Sequence, residues 1–252
     1  MMPVAFVGHG SPMNAVEDNP YSRGWRSIAE KIPKPEAILM ISAHWYVEGT
    51  RLQTDEHPKT IYDFYGFPKE LYDVEYPAPG TAALAEKVRR LVPDSSADNS
   101  WGIDHGAWSV LRWMYPEADI PVCQMSVDGS LTPQQVFETG KLLRPLRDEG
   151  VLVIGSGNVV HNLRLVDYSG GAYDWAQQFD AAIRTAIEGK DFDKAVHYDS
   201  AGESARLSVP YPDHFYPLLY ILGAAEETDE AEVFNADCVL GSLSMTSYLF
   251  SK

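Results

Sequence analysis

Val4-Ala5-Phe6-Val7-Gly8-His9-Gly10-Ser11-Pro12 is the stretch on which the reading of this chain turns. Four apolar residues, two of them β-branched, predict a short buried strand. The strand runs into a histidine held between two glycines, where the backbone can turn sharply and other groups can come close. A histidine in that position is presented at the mouth of a sheet and is not packed inside it. The pattern recurs at Ile38-Leu39-Met40-Ile41-Ser42-Ala43-His44-Trp45, and again from Val151 through Gly155-Ser156-Gly157-Asn158 to His161. Ligands of open α/β sheets collect beyond the carboxyl ends of the strands. His9, His44 and His161 are therefore expected to converge on one crevice.

Working outward, strands alternate with amphipathic helices. Helical spacing is read over Pro20 to Ile32, from Thr81 as N-cap through Val92, after His105, over Pro133 to Leu146, over Trp175 to Ile187, and over His214 to Ala225 with Asp213 as its cap. Strands are read at Glu36 to Ser42, Thr50 to Thr54, Pro121 to Val127 and Val151 to Gly155, with strand-like Val233-Phe234 and Cys238-Val239-Leu240 near the end. The alternation predicts an α/β fold, with a mostly parallel central sheet flanked by helices and antiparallel additions. With 252 residues and no linker composition, the chain reads as a single domain spanning 1–252.

Composition narrows the function. With a formal net charge of −16 a nucleic-acid role would need a local basic patch, and the best candidate, Lys87 with Arg89 and Arg90, reads as a solvated helix face, so no nucleic-acid partner is expected. No apolar run reaches the roughly 20 residues that span a bilayer, and no signal peptide is read, so no membrane role and a cytoplasmic location are expected. Cys123 and Cys238 read as free thiols in apolar segments, not as a disulfide. Between His57 and Pro79 lies an irregular stretch rich in rings: Tyr62, Phe64, Tyr65, Phe67, Tyr72 and Tyr76. Such a loop either walls a site or packs itself down as a satellite cluster.

The seven histidines divide by context. His57, among charges, and His197, away from any strand end, read as surface or structural groups. His105, in Asp104-His105-Gly106, either works beside a carboxylate or sits at a helix start bonding nearby backbone. His214, next to Asp213, is either a fourth crevice residue or a helix-end group. Neutral imidazoles from separate strands suit zinc, copper, iron or nickel. A structural zinc site would prefer cysteines, so the set points to a catalytic metal with open positions. Gly155-Ser156-Gly157 fits neither a nucleophile elbow nor a dinucleotide-binding turn.

Seven motifs taken together resemble a known family. They are Gly8-His9-Gly10-Ser11-Pro12-Met13, Ser42-Ala43-His44-Trp45, Asp63-Phe64-Tyr65-Gly66-Phe67-Pro68, Tyr76-Pro77-Ala78-Pro79-Gly80, Gly102-Ile103-Asp104-His105-Gly106-Ala107-Trp108, Gly155-Ser156-Gly157-Asn158-Val159-Val160-His161-Asn162-Leu163 and Gly241-Ser242-Leu243-Ser244-Met245. In this order, across nearly the whole chain, they resemble the DOPA-type branch of the class III extradiol ring-cleavage dioxygenases. The resemblance implies an α/β catalytic domain over 1–252 that opens a small aromatic diol with O₂, beside and not between its hydroxyls. It implies Fe(II) as the active metal, with Zn(II) as the ion often found bound. It implies His9 and His44 as ligands, with His161 and His214 at positions that complete the metal environment. In better-known class III enzymes a glutamate is the third ligand and the histidine matching His161 is an acid/base, so His161 stands as ligand or proton carrier. His105 matches a second histidine near the substrate and is the other acid/base candidate. Tyr62, Phe64, Tyr65 and Phe67 would form the wall for the ring. The competing readings are a non-catalytic metal-binding protein and a zinc-dependent hydrolase on the same scaffold.

Overall fold

The structure is a computed structural model that describes residues 1–252. Strand β1 (Val4–Gly8) is buried along its whole length. Val4 and Phe6 enter one apolar cluster while Ala5 and Val7 enter another, so successive side chains serve opposite faces. Helix α1 (Pro20–Ala29) is capped by Asn19, whose side chain accepts the Tyr21 and Ser22 N–H groups. It stops before Ile32, because Pro33 biases that residue away from helical backbone.

Strand β2 (Ala37–Val47) is followed by the short β3 (Arg51–Leu52), then α2 (Lys69–Tyr72), α3 (Ala82–Leu91), β4 (Ser96–Ala97) and α4 (His105–Met114). Thr81 caps α3 as expected, its hydroxyl accepting the Leu84 N–H at 3.2 Å. Next come β5 (Val122–Asp128), α5 (Pro133–Leu142), α6 (Pro145–Asp148) and β6 (Val151–Gly157). The helix expected over Pro133 to Leu146 is thus two, divided ahead of Pro145, which has no N–H to continue the ladder. Four helices follow: α7 (Asp174–Glu188), α8 (Phe192–Val196), α9 (Glu203–Ser208) and α10 (Tyr216–Ala224). The chain closes with β7 (Glu230–Phe234), β8 (Cys238–Val239), β9 (Leu243–Ser244) and β10 (Ser247–Ser251).

The main sheet runs β4-β3-β5-β2-β6-β1-β10-β7. Its centre, β5-β2-β6-β1, is parallel, with β10 and β7 antiparallel on one side and β3 antiparallel to β5 on the other. Separate apolar clusters cover the two faces. Parallel strands buried on both sides carry near-continuous apolar runs, which is why β1, β2 and β6 were legible. Strand β10 was not read from the sequence, although it pairs directly with β1 through Val4 and Phe250.

Helix α10 is buried on every side and lies against α5 so closely that a Cβ on Gly223 would sit 2.1 Å from the Phe137 carbonyl oxygen. The expected Asp213 cap is not made: α10 starts at Tyr216, and no side chain caps it. Pro217 occupies its first turn, where a missing N–H does no harm.

Candidate metal centre

The carboxyl ends of three adjacent strands build the site. Gly8 is in register with Gly157, and Ser156 of the middle strand is flanked by Val7 and Ser42. His9 follows β1 directly, and its N–H donates to the Gly157 carbonyl at 3.1 Å. His44 lies within β2, not beyond its end as the sequence suggested. The pairing with β5 breaks register between Ser42 and Tyr46. Such a bulge re-aims a side chain, and here the imidazole meets that of His9. His105 is the first residue of α4, and His214 is held by its carbonyl, which accepts the Asn158 N–H at 2.9 Å.

Five of the seven histidines come together. The ring centroid of His44 lies 3.9 Å from that of His105, 4.9 Å from His9 and 5.0 Å from His214. Ligand atoms of His9, His44 and His105 all fall within 4.8 Å of one another. His161 joins the cluster from outside, its ring stacked on His214 at 3.5 Å and 5°. His9, His105 and His214 are buried and His161 is half-buried. His57 and His197 are exposed, as their context predicted.

The hydrogen-bond pattern tests whether these residues fit a metal. Ser156 Oγ donates its only proton to the Gly106 carbonyl at 2.6 Å, so towards His9 Nδ1, 2.9 Å away, it must accept. The proton of neutral His9 therefore sits on Nδ1 and its lone pair on Nε2. That Nε2 faces His44 Nε2 at 3.0 Å. On the other side of His44, Asp63 Oδ2 lies 3.0 Å from Nδ1 and favours a proton there. Two Nε2 lone pairs facing each other repel unless a proton or a metal cation lies between them, and their separation suits neighbouring ligands of one ion. Both ring nitrogens of His214 lack a hydrogen-bond partner, although Asp213 approaches Nδ1 to 3.1 Å. An all-imidazole donor set without thiolate fits zinc, iron, copper or nickel. The donors fit a metal.

Electrostatics favour the neutral, ligand-competent form in four of the five imidazoles. Burial, then the positive charge His44, His214, His105 and His161 would carry, holds the His9 pKa well below 6.5. Burial, followed by His214, does the same for His161, and burial with His44 lowers His105. Burial also lowers His214, against the opposing Asp213. His44 differs: burial pulls it down, but Asp63, Asp104 and Asp213 outweigh burial and raise it.

Sequence reasoning gave no role to Asp63 or Ser156 and left open whether Asp104 works beside His105. Asp104 does not orient its neighbour His105. Its carboxylate accepts the Ala107 N–H that starts α4, the Ser42 hydroxyl at 2.7 Å, the Trp101 indole N–H at 3.0 Å and the Gln124 amide. Asp63 approaches His105 instead. The available signal for each was its place in a motif: Asp63 opens Asp63-Phe64-Tyr65-Gly66-Phe67-Pro68, and Ser156 lies between the glycines of Gly155-Ser156-Gly157.

In that loop Tyr62, Phe64 and Phe67 are partly buried against the core. Phe64 stands edge-on to His105 at 5.3 Å, with Phe67 at 5.4 Å and Tyr62 at 6.2 Å from it. Tyr65 is 92 % exposed. The Tyr62 hydroxyl donates to the Val74 carbonyl at 2.7 Å and pins the loop.

One close approach holds the floor. A Cβ on Gly157 would lie 2.1 Å from the His214 carbonyl oxygen. Gly157→Ala is expected to push His214 away, costing about 1–3 kcal/mol from overpacking together with metal affinity. Thermal melts recorded with and without added metal check this. An unchanged metal-induced gain would separate His214 from the centre.

An α/β sheet carrying a histidine centre at its strand ends describes a class of enzyme folds, and comparison narrows it. Residues 3–251 match the family described as the catalytic LigB subunit of aromatic ring-opening dioxygenase. The chain belongs to that family of extradiol dioxygenases. It is 44 % identical to the 4,5-DOPA dioxygenase extradiol of Escherichia coli K12 over 98 % of this chain and 93 % of that protein. It is 41 % identical to the Beta vulgaris protein of the same name over 98 % and 95 %. A crystal structure of an uncharacterized E. coli K12 protein superposes with a TM-score of 0.87, at 40 % identity over the whole of both chains.

Proposed function

We propose that the chain, as one catalytic unit over 1–252, opens a DOPA-like catechol with O₂ at a metal held by His9, His44 and His214. The observation that carries this reading is the approach of His9 Nε2 and His44 Nε2 to 3.0 Å, with Ser156 and Asp63 each standing beside the opposite nitrogen of one ring. Ferrous iron, when bound, supplies the electron path between diol and O₂ that zinc, with no accessible redox change, does not. The DOPA-type substrate rests on the names of relatives 44 % and 41 % identical.

The remaining work belongs to the side chains. His105 is buried and neutral near pH 7, because burial and His44 lower its pKa. It can take a hydroxyl proton from the diol as it binds. His161, stacked on His214 and half-buried, can pass protons between the site and solvent. It remains adjacent to the ligand set, so ligand and proton carrier are the roles its position supports. Phe64 offers an aromatic edge beside His105, backed by Tyr62 and Phe67, and excludes water from that side. The exposed Tyr65 would meet a substrate only at the rim.

Protein loaded with Fe(II) without oxygen, then given a panel of catechols and air, should consume O₂ and release a yellow ring-opened product. Absence of uptake with every catechol would refute the reading.

A further inference from the structure

Asp63 is a half-buried carboxylate that reaches two imidazoles of the site at once. It sits at the head of the aromatic loop, outside every strand and helix, with its side chain 11 % exposed. Oδ1 accepts the backbone N–H of His105 at 2.9 Å, a group the first turn of α4 cannot satisfy itself. The same Oδ1 lies 3.0 Å from His105 Nδ1, and Oδ2 lies 3.0 Å from His44 Nδ1. Both side-chain contacts are off the straight hydrogen-bond axis, and Oδ2 has no other partner. One carboxylate thus faces the same nitrogen of two imidazoles whose centroids are 3.9 Å apart.

We propose that Asp63 is a positioning residue that places the proton of both His44 and His105 on Nδ1, so that both Nε2 lone pairs are presented to the shared centre. An ionised carboxylate only accepts, so each nitrogen that faces it gains by carrying the proton. His44 Nε2 is then the atom that meets His9 Nε2, and His105 Nε2 is free to accept a proton. Ser156 does for His9 what Asp63 does for the other two. The inference rests on the metal-site reading above, but the placement of protons can be measured without metal.

Two substitutions separate this role from simple packing. In Asp63→Asn the backbone N–H of His105 demands the amide oxygen at the Oδ1 position. The NH₂ group then stands at the Oδ2 position and confronts His44 Nδ1 with a donor. His44 must move its proton to Nε2 and lose the inward lone pair. Asp63→Ala removes the bias without reversing it. Nitrogen-15 spectra of the histidine rings, with far-UV circular dichroism as a check on folding, should show His44 protonated on Nδ1 in the parent and on Nε2 in Asp63→Asn. Zinc affinity should fall in the order parent, Asp63→Ala, Asp63→Asn, with a loss of roughly 10–100-fold in the last, the range for removing an outer partner of a ligand.

Packing alone predicts the reverse order, because alanine is the larger truncation. An unchanged His44 tautomer in folded Asp63→Asn, or a greater zinc loss in the alanine variant, overturns the proposal. If the parent itself fails to bind zinc, the metal-site reading falls, and the ring spectra still decide the role of Asp63.

Discussion

His9→Ala and His44→Ala will each abolish retained metal and ring cleavage together. Each supplies one of the two Nε2 atoms 3.0 Å apart, so either substitution removes a donor from the ion itself. The loss should exceed the roughly 10–100-fold that follows removal of an outer-shell partner. Stability adds a readout independent of turnover. A ligand bound only to the native state stabilises it by RT ln(1 + [L]/Kd), about 2.7 kcal/mol at a concentration 100 times Kd. The parent should therefore melt at a higher temperature with added Fe(II) or Zn(II), and neither variant should respond. With no metal added, the variants should lose little of the electrostatic component of stability, since each substitution also removes one of two facing lone pairs. A full metal response in either variant would contradict the assignment.

His105→Ala has the second largest expected effect and a different signature. Metal should be retained while kcat falls by roughly 10²–10⁴, the usual range for a positioned general acid or base. The pH dependence gives the sign. Burial and the His44 charge depress the His105 pKa below 6.5, so the base is competent at neutral pH and is lost as pH falls through that lowered value. The parent should show an acid limb in kcat/KM below pH 6.5, and His105→Ala should lack that limb. Lost metal in this variant would instead make His105 a ligand, which its donor atom, within 4.8 Å of those of His9 and His44, is close enough to be. Full activity would remove it from the chemistry.

The contrast between what was legible and what was not follows from the range of the forces. Continuous apolar runs such as Ile38 to Ile41 announce a parallel strand buried on both faces, because local composition alone reports burial. Glycine on both sides of His9 marked a turn at a sheet mouth by the same local logic. Strand β10, Ser-Tyr-Leu-Phe-Ser, is too short and too polar at its ends to stand out, and its pairing with β1 spans nearly the whole chain. The bulge that turns His44 inward is a property of the β2–β5 register, which no single strand encodes. Asp104 illustrates the hazard of adjacency: neighbours in sequence diverged, one into a buried network with Ser42, Trp101 and Gln124, the other into the site. Asp63, 42 positions from His105, does what adjacency had suggested for Asp104. A carboxylate that distant is placed by the fold of the aromatic loop, not by spacing.

In the proposed centre, imidazoles from separate strands share one cation. A crystal structure of the protein loaded anaerobically with Fe(II) or Zn(II) tests it most directly. A single ion about 2.0–2.2 Å from Nε2 of both His9 and His44 is expected. An ion bound elsewhere, or rings of His9 and His44 turned away from a common centre, would contradict it.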